Sequence, residues 1–293
     1  MRKVHALQLQ GLDFSSQIQR HSGDETVTYQ VVDGQDIHLS YFYPDPMPNC
    51  LKPALILVHG GGWSNHKIFS DQGNLWQGDY LGYLARYYAD HGYVCVSIDY
   101  RLSREGGQCP DYQLIDCYED CAKAMDYILS TASAYHIDID RVSLLGESAG
   151  GHLAGMLATC YHHDDFHFQT AFLFNPILDF ENCPTWITQI PEQTTNQQLQ
   201  TMSFVERVRF LSPITHIHPD MCSTVLIHGM EDKTVGLYHS DNFYKKMLDM
   251  NLSCDLHLIE GTSHAFLLAE YTKNVAATQI GVSILNSYLL QRN

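Results

Sequence analysis

Six short apolar runs, rich in β-branched and aromatic residues, recur along the chain with a helix-length segment after most of them. They are ALILVHG (54–60), YVCVSIDY (93–100), RVSLLG (141–146), AFLFNPI (171–177), TVLIHG (224–229) and CDLHLIEG (254–261). Runs without polar alternation suit strands covered on both faces. Strands that alternate with helices imply βαβ crossovers and a mostly parallel sheet. Before them, TVTYQVVD and DIHLSYFY flank the turn residues of DGQD and read as an antiparallel hairpin. The expected fold is α/β, with about eight strands and helices on both faces. Helices are expected near 75–91, 111–134, 149–161, 239–251 and 271–291.

The 293 residues suit a single α/β domain spanning 1–293, with no repeat or long linker. One stretch breaks the rhythm. Residues 181–212, ENCPTWITQIPEQTTNQQLQTMSFVERVRFLS, are polar, rich in Gln and Thr, and follow the fourth parallel run. An insertion there falls at the carboxyl edge of the sheet, where open α/β sheets bind ligands. It is expected to form a short cap.

Charge and cysteine usage narrow the function. The chain carries 17 Lys and Arg against 33 Asp and Glu, a formal net charge of −16. Nucleic acid and anionic membrane both require a positive surface, so neither is an expected partner. The start, MRKVHALQLQ, has no apolar core after its basic residues and predicts no signal peptide. The nine cysteines are scattered, with no CxxC pair. Cys95 lies inside an apolar run, and Cys117 and Cys121 are four apart in an expected helix, where core packing is the natural reading. This usage points to a reducing compartment, the cytoplasm. The sequence leaves a homo-oligomer open.

The chemistry is concentrated in LLGESAGGHLAG (144–155). A strand that turns at once into a helix forces its corner residue into a strained conformation, which only small neighbours permit. Gly146 and Gly150 flank Ser148 two residues away on each side, the G-x-S-x-G nucleophile elbow. Such a turn lifts a hydroxyl clear of the sheet at a helix N-terminus, where the dipole favours a developing anion. A serine needs a base, and the base needs an orienting group. Asp232 follows TVLIHG within MEDKTV, and His264 follows CDLHLIEG within TSHAF. The order Ser148, Asp232, His264 is that of α/β-hydrolases. Rivals fit less well: Glu231 lacks the G-x-x-D spacing from Gly229, Asp241 falls on the next helix, and His228 and His257 fall within strands. The cluster YHHDDFHF (161–168) lacks defined metal-ligand spacing and reads as a polar surface loop.

ALILVHGGGW ends a strand with three glycines, which let backbone N–H groups approach a ligand. Gly61 and Gly62, with Ala149 after the serine, are the expected oxyanion donors. His59 is expected to brace that loop. No Lys-Ser/Thr follows the glycines, so this is no phosphate loop. Trp63 is expected to wall a small acyl pocket, and Trp186 to cover the alcohol group. This chemistry asks for no cofactor and no metal.

HGGGW, IDYRL (98–102), GESAGGHLAG, HGMEDKTV and EGTSHAF, in that order over about residues 50–270, resemble the α/β-hydrolase esterases of the hormone-sensitive-lipase and acetyl-esterase type. The resemblance implies Ser148, Asp232 and His264 as a triad, and Asp99, Arg101 and Asp116 as structural contacts behind the site. The chain departs from that pattern in lacking a long N-terminal helical cap and in carrying Glu147 where the family often has Asp. SAGGHLA looks closest to intracellular esterases that deacetylate sugars or small esters. The expected activity is hydrolysis of short-chain esters. An amidase such as an arylformamidase would use the same loop and triad. A catalytically inactive binding module is the alternative from another class, and the complete set of residues argues against it.

Overall fold

In the computed structural model, the described residues are 2–4, 23–64, 68–69, 75–76, 81–103, 112–183, 185–194, 196–264 and 275–290. The strands are β1 (Arg2–Val4), β2 (Glu25–Val32), β3 (Gln35–Phe42), β4 (Lys52–Val58), β5 (Ile68–Phe69), β6 (Leu75–Trp76), β7 (Val94–Ile98), β8 (Ile137–Glu147), β9 (Thr170–Phe174), β10 (Ser223–Gly229) and β11 (Cys254–Ile259). The helices are α1 (Gly82–Asp90), α2 (Leu114–Thr131), α3 (Ala149–Cys160), α4 (Gln197–Gln200), α5 (Phe204–Phe210), α6 (Tyr238–Asp249) and α7 (Val275–Leu289).

Among the described residues, nine strands form one sheet in the order β1-β11-β10-β9-β8-β4-β7-β3-β2. The β2–β3 hairpin is antiparallel, as is the β3–β7 pairing, and every other pairing in this sheet is parallel. Eight of the nine are the strands expected from sequence. The three-residue β1 extends the edge beyond β11 and has no apolar run to announce it. Asp33 and Gly34 both take positive φ, 51° and 78°, as a two-residue turn matched to strand twist requires.

The parallel strands are buried on both faces, and their side chains divide with period two. Ala54, Ile56 and Val58 of β4 join the core that contains Leu153 and Leu157 of α3, Met125 of α2 and Phe243 of α6. Leu55 and Leu57 face the opposite core, with Leu84 of α1 and Leu285 of α7. Helices therefore cover both faces, as expected. α3 is buried almost all round, which is why its sequence shows little amphipathic contrast.

Two boundaries differ from the expectation. Leu75 and Trp76 pair with β5 as a strand, and the described helix spans Gly82–Asp90. β8 begins four residues early at Ile137, where alternating Asp138 and Asp140 hide a strand from an apolar-run criterion. Cys117 and Cys121 are buried, and burial pushes both thiols well up, as in packing cysteines.

Candidate active site

The site assembles where the parallel strands end. Ser148 sits at the junction of β8 and α3 with φ 59° and ψ −120°. Its backbone N–H donates to Phe174 O at 2.9 Å, tying the corner to the end of β9. The flanking glycines are sterically required. A Cβ on Gly146 would lie 2.2 Å from Gly150 O, and one on Gly150 would lie 2.1 Å from Val58 O. Strain of this kind costs on the order of 1–3 kcal/mol and tends to mark functional positions.

Ser148 Oγ and His264 Nε2 are 2.8 Å apart. His264 Nδ1 lies 2.6 Å from Asp232 Oδ2. The carboxylate can only accept, so the ring proton sits on Nδ1 and the Nε2 lone pair faces the serine hydroxyl. Thr234 and Val235 donate their N–H groups to Asp232 Oδ1 at 2.9 and 2.8 Å, which fixes the carboxylate plane. Burial pushes the Asp232 carboxyl up. Hydrogen bonds from His228 and His264 outweigh that and hold it well below the usual carboxylate range. A hydroxyl facing an imidazole lone pair, with a carboxylate behind, is the arrangement that activates serine as a nucleophile.

His228 stands at the end of β10, as its strand position indicated, and is fully buried. It also contributes to the site: its Nε2–H donates to Val235 O at 3.0 Å and lies 3.5 Å from Asp232 Oδ2. The expected rivals stand elsewhere. His257 bonds Tyr288 at 3.0 Å, and Asp241 on α6 pairs with Lys245 at 2.6 Å.

The glycine loop follows β4. Gly61, Gly62 and Trp63 have φ of 103°, 64° and 57°. Tyr100 stacks on His59 and donates its hydroxyl proton to His59 O at 2.8 Å, and His59 Nδ1 donates to Gly60 O at 2.8 Å. The bracing expected of His59 is thus made by that ring together with Tyr100. Ala149, the first residue of α3, has no intrahelical acceptor for its N–H, since the first four N–H groups of a helix are left over.

Trp63 differs from the expectation. It is 0% exposed, so it offers no surface to a ligand. Its φ is positive, and its indole points inward, where it meets His152, Phe180 and Trp186. Trp186 is half-buried, donates its indole N–H to Thr234 O at 2.9 Å and packs edge-on against Trp63 with ring centroids 5.8 Å apart. The segment 181–212 therefore reaches the loops after both β4 and β10 at the carboxyl edge. Within it, α5 starts with a capping box between Ser203 and Glu206. Residues 265–274, just after His264, lie outside the described set.

Arg101 makes ion pairs within the fold. Its main partner is the fully buried Asp120, at 2.7 and 2.8 Å, with Asp116 at 3.6 Å. Asp120 carried no motif and was missed from sequence. His162, His163 and His167 are exposed in the turn after α3. With His218 they line a cavity of about 320 Å³. It lies at the far end of α3, one helix length (about 18 Å) from Ser148. Among the described residues, no group of three His, Cys, Asp or Glu is arranged to hold a metal ion, and no helix is long and apolar enough to cross a membrane.

Known proteins of similar sequence and shape point the same way. The chain is 25% identical over 231 residues to a probable carboxylic ester hydrolase, LipM, of Mycobacterium tuberculosis, covering 73% of this chain and 49% of that one. It is 29% identical over 142 residues to arylacetamide deacetylase of Bos taurus, covering 47% and 32%. The chain thus spans at most about half the length of these two relatives. The structure superposes on a thermophilic esterase of Thermogutta terrifontis with a TM-score of 0.73 and 23% identity, covering 92% and 93% of the two chains, a likeness of fold. The BD-FAE family model matches residues 41–247. That span takes in both the glycine loop and Ser148, and it is well over half of the sequence, so the chain belongs to the BD-FAE family and has an α/β-hydrolase fold.

Proposed function

We propose that this protein is a serine carboxylesterase for short acyl groups, acetyl to butyryl, with acetylated sugars among its fitting substrates. The observation that carries the reading is the continuous line from Ser148 Oγ through His264 to Asp232, at 2.8 and 2.6 Å. In this reading Ser148 attacks the ester carbonyl while His264 takes its proton. His264 returns that proton to the leaving alcohol, and Asp232 holds the imidazole in the required tautomer. Water then releases the acid by the same route. The N–H groups of Gly61, Gly62 and Ala149 stabilise the tetrahedral oxyanion.

The chain reads as one α/β-hydrolase domain, 1–293, with 181–212 as a short cap. The preference for short chains follows from where the apolar residues of that cap go. Ile190, Leu199, Val208 and Leu211 are buried in the main core. That leaves Trp186, Ile187, Met202, Phe204 and Phe210, which are partly buried against that core, and the exposed Val205. Each methylene of an acyl chain gains about 0.8 kcal/mol only where apolar surface covers it. All eight described cysteines are free thiols, which fits a cytoplasmic setting.

The test is kcat/KM across p-nitrophenyl esters of rising length, with acetylated sugars and N-formylkynurenine alongside. The expected profile peaks between acetyl and butyryl and falls steeply beyond about six to eight carbons. An optimum at decanoyl or longer contradicts the short-acyl reading. Faster turnover of the formamide than of any ester contradicts the ester reading.

A further inference from the structure

We propose that His152 is a positioning residue for the oxyanion loop, holding residues 60–63 in shape through the indole of Trp63. The inference rests on the esterase reading, because the N–H groups of that loop matter to chemistry only if an oxyanion forms against them.

Three consecutive residues of the loop, Gly61, Gly62 and Trp63, have positive φ. Two are glycines and adopt it freely. A tryptophan does not, and it keeps such a conformation only where the surroundings impose it. Two groups do so here. Ser103 N donates to Trp63 O at 2.7 Å, fixing the peptide. The indole Nε1–H donates to His152 Nδ1 at 3.1 Å, and the two rings meet edge to face with centroids 5.4 Å apart. Both side chains are 0% exposed, so water cannot replace that acceptor.

His152 is itself held from two sides. It lies one turn after Ser148 in α3, and its backbone N–H donates to Ser148 O at 2.9 Å. Its Nε2–H donates to Leu211 O at 2.8 Å, at the end of the 181–212 segment. The tautomer is forced, because the indole N–H can only donate and the carbonyl can only accept. A protonated ring would set N–H against N–H at Trp63. Burial pushes His152 down to about 4, so the ring stays neutral through the neutral range. One imidazole thus joins the helix that carries the nucleophile, the loop that carries the donors and the covering segment. The side chain touches no reacting atom and acts only through Trp63.

A purely structural role predicts a different set of results from a positioning role. In His152→Asn, the amide oxygen stands where Nδ1 stands and still accepts from Trp63. In His152→Gln, the far donor to Leu211 survives and the acceptor for Trp63 is lost. His152→Phe and Trp63→Phe each remove the pair while keeping a ring. All four, with the Trp63→Phe/His152→Phe double variant, are assayed for kcat and KM on p-nitrophenyl acetate. Their affinity for an aryl trifluoromethyl ketone, which forms a hemiketal oxyanion on the serine, is measured in parallel, and folding is checked by circular dichroism.

The expected result is a loss of roughly 10- to 100-fold in kcat for Gln and Phe, the scale of a misplaced catalytic group, with KM within about twofold. Ketone affinity falls by the same factor. His152→Asn stays within about threefold of wild type, and the double variant is no worse than the poorer single one, because both remove one interaction. If Phe at 152 does not fold, the contrast between Asn and Gln decides. Equal losses for Asn and Gln, losses in KM alone, or additive losses in the double variant overturn the proposal. A wild type that hydrolyses no ester overturns the esterase reading and this inference with it. An active wild type beside an unimpaired His152→Gln overturns this inference alone.

Discussion

At the scale of single residues, substitutions in the candidate site are expected to divide into those that remove chemistry and those that break packing. Ser148→Ala and His264→Ala are each expected to lower kcat by at least about a thousandfold while leaving the fold intact, because members of such a triad act as a unit. Steady-state kinetics on folded variants checks this, and retention of a tenth of wild-type kcat contradicts the assignment. Gly150→Ala is expected to behave oppositely. Its Cβ would lie 2.1 Å from Val58 O and 2.5 Å from His59 O, both backbone atoms with nowhere to move. A cost above about 3 kcal/mol in urea unfolding is expected, larger than ordinary overpacking. The meeting of Ser148, Asp232 and His264 was legible in the sequence because each follows a strand at fixed spacing in a glycine-marked motif, and the structure brings the three side chains within 2.8 and 2.6 Å of one another. His152, His228 and Asp120 were not. A buried histidine with two partners looks the same in sequence as one that only fills space. The inward turn of Trp63 depends on a backbone φ that its neighbours, not its own type, impose.

At the scale of elements, the glycine loop shows how conformation and packing make separate demands. A Cβ at Gly62 would meet only Ser64 Oγ, at 3.9 Å, so there is room for a side chain. Its φ of 64° is the obstacle, most of all for a β-branched residue. Gly62→Val is therefore expected to fold, to lose about tenfold or more in kcat and to keep KM within about twofold, since an oxyanion donor matters mainly in the transition state. A raised KM with normal kcat contradicts that placement of the loop. Element positions followed from the sequence wherever a run was apolar throughout, as in β4 and β10, or a helix was long. They slipped where polar residues alternate at the start of β8, where three residues complete an edge at β1, and where Leu75 and Trp76 pair with β5.

At the scale of the whole molecule, buried neutral histidines couple stability to pH. Burial lowers both His152 and His239 to about 4, against about 6.5 when unfolded. Between those values the unfolded chain binds more protons, so stability is complete above about pH 6.5 and is lost progressively as pH falls towards 4. Asp232 works in a lower window: its depressed pKa contributes stability above the ordinary carboxylate range, and that is lost only in stronger acid. The net charge of −16 also relaxes as pH falls, which opposes the histidine effect, so the test is a difference. Urea unfolding at pH 7.5 and pH 5 should show a pH-dependent loss about 2 kcal/mol smaller in His152→Asn than in wild type. An identical loss in both contradicts a buried neutral His152. Covalent titration with a fluorophosphonate, read by intact mass and peptide mapping alongside residual esterase activity, tests whether Ser148 is a nucleophile activated by His264 and Asp232. One adduct per chain is expected, on Ser148, with activity lost in proportion and no adduct on Ser148→Ala. Full modification with activity retained, or an adduct on another residue that tracks the loss, would contradict it.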